Sequence, residues 1–219
     1  MIRVLIADDH PIVREGLKQV IARASDMAVA VEATNGQEVL DHIDPDRIDV
    51  VVLDFSMPGK SGFDVLKDLR KTHPRLPILI LSMHPESELA PRLLRAGASG
   101  YMTKESAPAE LTGAIRKVHN GGTYVTPALA EKLAQDLAAG RHTLPHESLS
   151  DREFQVLCML AAGKSAKEIA QEISLSVKTV RTYRDRIMEK MDVKNDVELT
   201  HYAIEHGLLS SRKPMDNGR

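Results

Sequence analysis

The sequence predicts two domains of different fold classes, a doubly wound α/β domain followed by a small all-α domain. Short apolar runs alternate with helical patterns over about the first 120 residues, tandem glycines then interrupt the alternation, and the pattern from Ser150 onward is wholly helical. A chain of 219 residues is long enough for two domains of ordinary size. We therefore expect one sheet-based core and one helical core.

Five short apolar runs are predicted to form a flavodoxin-like, five-stranded parallel sheet. Nearly continuous apolar runs are typical of strands that are covered on both faces. The runs are Ile2 to Ala7, Met27 to Ala33, Val50 to Leu53, Ile78 to Leu81 and the shorter Gly100 to Met102. Helical spacing lies between them, for example at Val13, Leu17, Val20 and Ile21, and again at Leu111, Ile115 and Val118. This alternation predicts a doubly wound domain over residues 1–120.

The rest of the chain is predicted to contain a linker and four helices. Asn120, Gly121 and Gly122 end the last helix of the first domain, and residues 121–147 form a linker with a short helix near Pro127 to Ala139. Ser150 and Glu153 form a capping-box signature that opens the second domain, residues 148–211. Its predicted helices are Asp151 to Ala162, Ala166 to Ile173, Val177 to Met191 and Asp196 to His206. Residues 212–219 are expected to form a disordered tail.

Composition argues against several classes of protein. No apolar run approaches the roughly 18 residues that span a bilayer, so no membrane segment is expected. A strand-like run follows Met1 at once, without the basic and apolar regions of a secretion signal, and we expect a cytoplasmic protein. Cys158 is the only cysteine, which excludes an intramolecular disulfide and a cysteine-based zinc site. We expect Cys158 to be a small apolar core residue.

Polar residues are predicted to converge at the carboxyl ends of the strands. They are Asp8 and Asp9 after the first strand, Asp54 after the third, Ser82 after the fourth and Lys104 after the fifth. Clustered carboxylates favour a hard cation such as Mg²⁺. A carboxylate beside such a metal can attack phosphorus and become an aspartyl phosphate, whose charge the metal and Lys104 would offset. A single Asp at a strand end can instead be a helix N-cap, but the whole group indicates phosphoryl chemistry.

These residues resemble the receiver domain of two-component response regulators. The resemblance rests on Asp8-Asp9-His10, the segment Leu53 to Gly59, Ser82 and Tyr101-Met102-Thr103-Lys104, and it spans about residues 1–120. It implies that Asp54 is the phosphoacceptor. It also implies that Asp9, Asp54 and the Ser56 backbone carbonyl bind Mg²⁺, while Asp8 assists through water. Met57-Pro58-Gly59 would shape the loop behind the acceptor.

The same resemblance implies a switch around the phosphoryl group. Ser82 would be the hydroxyl that turns toward the phosphoryl group, Tyr101 the aromatic side chain that follows it, and Lys104 the phosphate partner. From its surroundings in the sequence, Tyr101 could instead be a half-buried core aromatic.

The predicted helix Val177 to Met191 has two chemically different sides. Val177, Val180, Ile187 and Met191 form an apolar stripe, and Lys178, Arg181, Thr182 and Asp185 lie opposite. Residues 176–194 contain six basic and three acidic residues, although the whole chain has a formal net charge of −2. The segment Ala166 to Asp185 reads as helix, turn, helix, with Ser174-Leu175-Ser176 as the turn. Lys178 and Thr179 suit DNA phosphates, Arg181 and Thr182 suit base edges, and Arg184 belongs to the same DNA-binding set.

This half resembles the LuxR-type DNA-binding domain. The resemblance rests on Leu149 to Glu153, Ala162 to Ser165, Lys167 to Ala170 and Val177 to Thr182, and it covers about residues 148–206. Both modules together resemble a response regulator of the NarL/FixJ type. Two positions depart from the family: Tyr183 stands where His is common, and Asp185 is acidic where some relatives carry a base. A carboxylate at position 185 could accept from a cytosine amino group or could repel phosphate and sharpen specificity.

The resemblance implies a phosphorylation switch. A sensor histidine kinase would donate a phosphoryl group to Asp54, and the modified protein would bind double-stranded promoter DNA as a homodimer through the last helix, Asp196 to His206. We expect no enzyme activity beyond self-phosphorylation and autodephosphorylation at Asp54.

Two other functions stay open at the level of sequence. A Mg²⁺-dependent phosphohydrolase also uses an aspartyl phosphate, but it usually carries Asp-x-Asp on its first strand, whereas this chain has adjacent Asp8-Asp9 and its nucleophile on the third strand. The other alternative is a receiver that is never phosphorylated and serves as a dimerisation or ligand platform. The complete acidic set argues against this platform.

Overall fold

The chain folds into two compact units, Met1–Arg141 and His142–Arg219. A computed structural model describes residues 1–83, 86–138, 144–173, 175–206 and 208. Three predictions fall outside the described residues: the end of the linker helix at Ala139, the turn residue Ser174 and the disordered tail 212–219. None of the described helices is long and apolar enough to cross a lipid bilayer.

The first unit contains a five-stranded sheet in which all strands are parallel. Its strands are β1 (Ile2–Ala7), β2 (Met27–Ala33), β3 (Val50–Asp54), β4 (Ile78–Ser82) and β5 (Gly100–Thr103), arranged in the order β2-β1-β3-β4-β5. Every residue of β3 and β4 is buried, as expected for strands with both faces covered. The predicted doubly wound fold is confirmed. Because β3 is the central strand, its last residue, Asp54, lies in the middle of the carboxyl-terminal edge of the sheet.

Five helices flank this sheet. They are α1 (Pro11–Ala22), α2 (Gly36–His42), α3 (Gly62–Thr72), α4 (Glu86–Arg95) and α5 (Ala107–His119). The predicted apolar positions Leu17 and Ile21 of α1 are buried in one core cluster with Leu111, Ile115 and Val118 of α5. Val13 and Val20 pack against that cluster and are partly buried. The helical spacing in the sequence therefore identified the faces that cover one side of the sheet.

The chain after α5 continues along the first unit. Gly121 has a φ of +81°, a left-handed conformation that favours glycine, and it directly follows the helix C-cap Asn120. The predicted end of this helix is thereby confirmed. Helix α6 (Pro127–Ala138) then packs against α4, with Leu129 buried.

The second unit is helical throughout its described part. A 3₁₀ turn (Pro145–Ser148) precedes α7 (Asp151–Ala161), α8 (Ala166–Glu172), α9 (Val177–Met191) and α10 (Asp196–Glu205). The predicted capping box of Ser150 and Glu153 is present. Three helices end one residue earlier than predicted, because Ala162, Ile173 and His206 are C-caps. Helix α7 packs against α9 and α10, and Cys158 is buried as expected.

The ion pair of Arg3 and Asp49 joins β1 to the start of β3. Arg3 Nη2 lies 2.7 Å from Oδ1 of Asp49, and the backbone and Nε of Arg3 donate to Oδ2 at 2.7 and 2.9 Å. The hydrogen bond from Arg3 outweighs the opposing effect of burial and lowers the pKa of Asp49 to about 2.

An Asp49→Asn variant tests this pair through pH dependence. Because the pKa of Asp49 is lower in the folded than in the unfolded chain, its contribution is present above about pH 4 and is lost as pH falls toward 2. We expect the variant to unfold at lower urea concentration than the native chain at pH 6. The difference should shrink between pH 4 and pH 3. A difference that does not change with pH would contradict this assignment.

Candidate functional site

The carboxyl-terminal edge of the sheet carries a buried cluster of two acids and one cation. Asp8 follows β1, Asp54 ends β3, and Lys104 follows β5. The ammonium nitrogen of Lys104 lies 2.7 Å from Oδ2 of Asp8 and 2.8 Å from Oδ2 of Asp54. Both carboxylates are buried, and the Lys104 side chain is only 9% exposed. The parallel sheet brings these groups together because its strands end at a common edge.

Burial and charge act in opposite directions on the titration of this cluster. Removal from water raises the pKa of Asp54, the positive charge of Lys104 opposes that rise, and the negative charge of Asp8 adds to it. Burial alone would lower the pKa of Lys104, but its interactions with Asp54 and Asp8 outweigh burial and raise it. Lys104 is therefore a protonated cation held between two carboxyl groups.

Four neighbouring side chains could hold a metal ion. One potential ligand atom from each of Asp8, Asp9, His10 and Asp54 lies within 4.8 Å of the others. Asp9 is half-buried, and its Oδ1 lies 2.9 Å from Nδ1 of His10. Carboxylate oxygens are the ligands that hard divalent cations prefer. The predicted metal-binding acids therefore come together, and their donor set fits such a cation.

The loop after Asp54 packs closely around this residue. The backbone N–H of Ser56 donates to Oδ1 of Asp54 at 3.2 Å, while the predicted role of the Ser56 carbonyl stays a prediction. Gly59 has a φ of +74°. A Cβ atom on Gly62, the first residue of α3, would lie 2.3 Å from the carbonyl oxygen of Asp54 and 2.8 Å from Cα of Phe55. The start of α3 thus touches the backbone of Asp54.

Ser82 and Tyr101, the two predicted switch residues, are both buried. Ser82 ends β4, and its carbonyl accepts from the backbone N–H of Lys104 at 2.8 Å. Tyr101 lies on β5 and is fully buried, rather than half-buried as the alternative interpretation of this residue expected. The role of each in a switch stays a prediction. Ser82 lies on β4, the strand that precedes α4, and Tyr101 lies on β5, the strand that precedes α5.

Helix α9 of the second unit carries the predicted DNA-binding residues. The side chain of Ser176 caps the helix by accepting from the backbone N–H of Thr179 at 3.0 Å. Val180, Ile187 and Met191 are buried, and Val177 is half-buried. The opposite side exposes Lys178, Arg181, Thr182 and Asp185 to solvent. The amphipathic pattern therefore leaves a polar stripe with two cations available to a ligand.

Two ion pairs fix α9 within its unit. Arg184 Nε and Nη2 donate to the carboxylate of Asp196 on α10 at 2.8 and 3.0 Å. Lys190 Nζ lies 2.6 Å from Oε2 of the buried Glu153 on α7. The predicted DNA-binding residue Arg184 thus has a partner inside the protein, whereas the exposed stripe of α9 lies on another part of the helix.

Known protein families match each unit. The family described as "Response regulator receiver domain" matches residues 4–116, and the one described as "Bacterial regulatory proteins, luxR family" matches residues 147–203. The chain is a response regulator of the NarL/FixJ type. It combines a receiver domain with a LuxR-type DNA-binding domain, as the sequence resemblance predicted, and it belongs to the transcription regulators that bind DNA.

Several relatives align with this response regulator along nearly its whole length. Response regulator UvrY of Escherichia coli K12 is 36% identical over 212 residues, which cover 96% of this chain and 97% of the relative. Response regulator GacA of Pseudomonas aeruginosa is also 36% identical, with 96% and 99% covered. Among solved structures, RcsB of Salmonella enterica serovar Typhimurium, bound to a promoter with a phosphomimetic, has a TM-score of 0.63 at 27% identity, with 92% and 97% covered.

Three features of this response regulator were not predicted from its sequence. The sequence pointed to His10 only as part of the motif Asp8-Asp9-His10, yet its ring belongs to the possible metal-binding group. Gly62 gave a weak signal, as a glycine directly after the helix cap Ser61. The pair of Arg184 and Asp196 gave none, because these residues are 12 positions apart and a helix end lies between them, whose geometry the local sequence does not specify.

Proposed function

We propose that this response regulator accepts a phosphoryl group on Asp54 from a sensor histidine kinase and then binds promoter DNA to regulate transcription. The observation that carries this proposal is the buried carboxylate of Asp54, 2.8 Å from the Lys104 ammonium and grouped with Asp8 and Asp9. We propose that it acts in the cytoplasm, because its DNA target is there.

The proposed reaction is a transfer of one phosphoryl group. A carboxylate oxygen of Asp54 attacks phosphorus, the P–N bond of a kinase phosphohistidine breaks, and the histidine nitrogen keeps the electron pair. Lys104 is already within hydrogen-bond distance of Asp54, and its charge would stabilise the added phosphoryl oxygens. The backbone N–H of Ser56 fixes the orientation of the carboxylate.

We propose that the cation is Mg²⁺, held by Asp9, Asp54 and the Ser56 carbonyl, with Asp8 assisting through water. Bound Mg²⁺ would neutralise charge on the phosphoryl oxygens during transfer. We propose no turnover of external substrates: the chemistry is limited to self-phosphorylation and autodephosphorylation at Asp54. Before phosphorylation, the Lys104 ammonium neutralises part of the charge of the acidic cluster. After phosphorylation, the same ammonium would neutralise part of the charge of the phosphoryl group.

For DNA binding, we propose that α9 enters the major groove of double-stranded DNA. Lys178 and Thr179 would contact phosphates, and Arg181 and Thr182 would contact base edges. We propose a homodimer on DNA that pairs through α10, where Val197 and Ile204 are 65% and 62% exposed although both are apolar. RcsB, which is similar to this chain, has been solved bound to promoter DNA in the presence of a phosphomimetic.

Intact-mass spectrometry tests the phosphorylation. We expect incubation of the full chain with acetyl phosphate and Mg²⁺ to add one phosphoryl group, located by peptide mapping at Asp54. Excess chelator should prevent the addition. The Asp54→Asn variant should stay unmodified, while Asp41→Asn, which alters an exposed acid on α2, should be modified like the native chain.

Two outcomes would contradict this proposal. An unmodified native chain would favour the platform that is never phosphorylated. Sustained release of phosphate from small phosphomonoesters, beyond one equivalent of protein, would favour a hydrolase.

A variant of Arg181 tests the DNA-binding surface. The phosphorylated full chain first selects a duplex from a random-sequence library, and fluorescence anisotropy then measures affinity for that duplex. We expect Arg181→Ala to weaken binding about 5- to 150-fold, the effect of losing one base-edge contact. Lys71→Ala removes the same charge from an exposed site on α3 and serves as the control. Equal affinities of the two variants would exclude Arg181 from the DNA interface.

A further inference from the structure

The segment after α5 extends the edge of the sheet in the first unit. The backbone N–H of Tyr124 donates to the carbonyl of Ser99, and the backbone N–H of Tyr101 donates to the carbonyl of Tyr124, each at 3.0 Å. A Cβ atom on Gly100 would lie 2.8 Å from both Cβ and the carbonyl oxygen of Tyr124, so this close approach requires a glycine at position 100. The segment is therefore bonded directly to Tyr101 of the predicted switch.

Two residues later, Thr126 is bound to the first residue of α4. Its backbone N–H donates to Oε1 of Glu86 at 2.9 Å, and its hydroxyl donates to Oε2 of the same carboxylate. We call this pair of hydrogen bonds the Glu86–Thr126 clasp. Bonds that end on a carboxylate are stronger than bonds between neutral groups.

The clasp also fixes the start of α6. The Thr126 hydroxyl oxygen accepts from the backbone N–H of Leu129 at 3.3 Å and so caps the helix. Leu129 is buried, and α6 packs against α4. One threonine therefore joins the first turn of α6 to the first residue of α4. Along the chain, α6 is the last described element before the second unit.

Glu86 lies close in sequence to the phosphorylation switch. It comes four residues after Ser82, and Ser82 ends the strand beside β3, which carries Asp54. We propose that the Glu86–Thr126 clasp transmits the phosphorylation state of Asp54 to α6, so that Glu86 and Thr126 are coupling residues of this regulator. This inference rests on the proposed function and names a route for its regulation.

A displacement of the Ser82 backbone would reach α6 through two connections. One runs along the chain to Glu86 and across the clasp to Thr126. The other crosses from β4 to β5 through their backbone pairing and continues from Tyr101 to Tyr124 through the backbone hydrogen bond. Because both hydrogen bonds of the clasp end on the Glu86 side chain, a substitution of Glu86 can remove them while the backbone pairing of Tyr101 with Tyr124 stays. Removing it should leave phosphorylation intact and weaken the effect of phosphorylation on DNA binding.

The test compares DNA affinities of the full chain before and after treatment with acetyl phosphate and Mg²⁺, on the library-selected duplex. The ratio of the two affinities measures the coupling. We expect Glu86→Ala and Thr126→Val each to reduce this ratio about 2- to 30-fold at equal phosphorylation, verified by intact mass. The losses in the double variant should be less than additive, because Thr126→Val removes the hydroxyl bond that Glu86→Ala also removes, together with the α6 cap. Thr126→Ser keeps both donors and the cap, so it should keep the native ratio.

A matched control lies in the same segment. The Tyr124 hydroxyl donates to a carboxylate on α5, that of Glu110, so Tyr124→Phe removes a comparable bond that does not involve α4. We expect this variant to keep the native ratio. Hydrogen exchange of peptides containing Leu129 supplies a second readout: phosphorylation should change their exchange in the native chain and not in Glu86→Ala.

Three results would overturn the clasp proposal by itself: a native ratio in fully phosphorylated Glu86→Ala, additive losses in the double variant, or an equal loss in Tyr124→Phe. A native chain that acetyl phosphate does not modify would overturn the proposed function, and the clasp proposal with it.

Discussion

Replacing Lys104 with methionine is expected to lower the free energy of unfolding of the receiver domain by about 3–5 kcal/mol at neutral pH without divalent cations. The substitution leaves Asp8 and Asp54 buried side by side without the ammonium group that lies 2.7 and 2.8 Å from them. Urea unfolding in the presence of chelator measures the loss, with pulsed hydrogen exchange of peptides from β1 and β3 as the readout. These peptides report on the receiver domain alone.

Added Mg²⁺ should restore part of the stability lost in Lys104→Met, because a bound cation replaces the missing positive charge and binds only the folded state. Lys60→Met is the matched control, since Lys60 pairs with Asp68 at 2.8 Å on a partly exposed surface. An exposed pair of this kind contributes at most about 1 kcal/mol. Equal losses in the two variants would show that the buried cluster does not depend on its cation.

Gly62→Ala should lower the free energy of unfolding of the receiver domain by about 3 kcal/mol. The added methyl group would lie 2.3 Å from the carbonyl oxygen of Asp54 and 2.8 Å from Cα of Phe55. Both neighbours are backbone atoms and cannot turn aside as a flexible side chain could. Either α3 or the loop after Asp54 must move, so the proposed phosphorylation of Asp54 should also be slower. The same urea and intact-mass measurements give both effects.

Gly113→Ala provides the comparison for this prediction. Gly113 lies within α5, and a Cβ atom there meets nothing within 4 Å. Alanine should raise stability by about 0.5–1 kcal/mol, because it restricts the unfolded chain more than glycine does. If Gly62→Ala were as stable as the native chain, α3 would not be packed against the backbone of Asp54 as described.

The positions of the strands and of the main helix faces could be predicted from the sequence. Strands β3 and β4 are buried on both faces, and this burial requires the continuous apolar runs that stand out in the sequence. Helices α1 and α9 each bury one side, which requires apolar residues at helical spacing. Asp54, Asp9 and Lys104 were predicted to lie together for the related reason that parallel strands end at one edge.

Contacts between segments that are distant in sequence could be identified only from the tertiary structure. The sequence put Lys104 near the acids, but only the packed sheet showed its ammonium group between Asp8 and Asp54. Likewise, the partners of Glu86 and Arg184 follow from how helix ends meet, which no local pattern encodes.

The sequence by itself thus determined the fold class and the edge of the sheet where the site lies, because periodicity reports which side of each element is buried. The family followed from the resemblance of its motifs. The tertiary structure alone decided which side chains pair and where only glycine fits. These features depend on distances of a few ångströms between elements, set by packing across the whole domain.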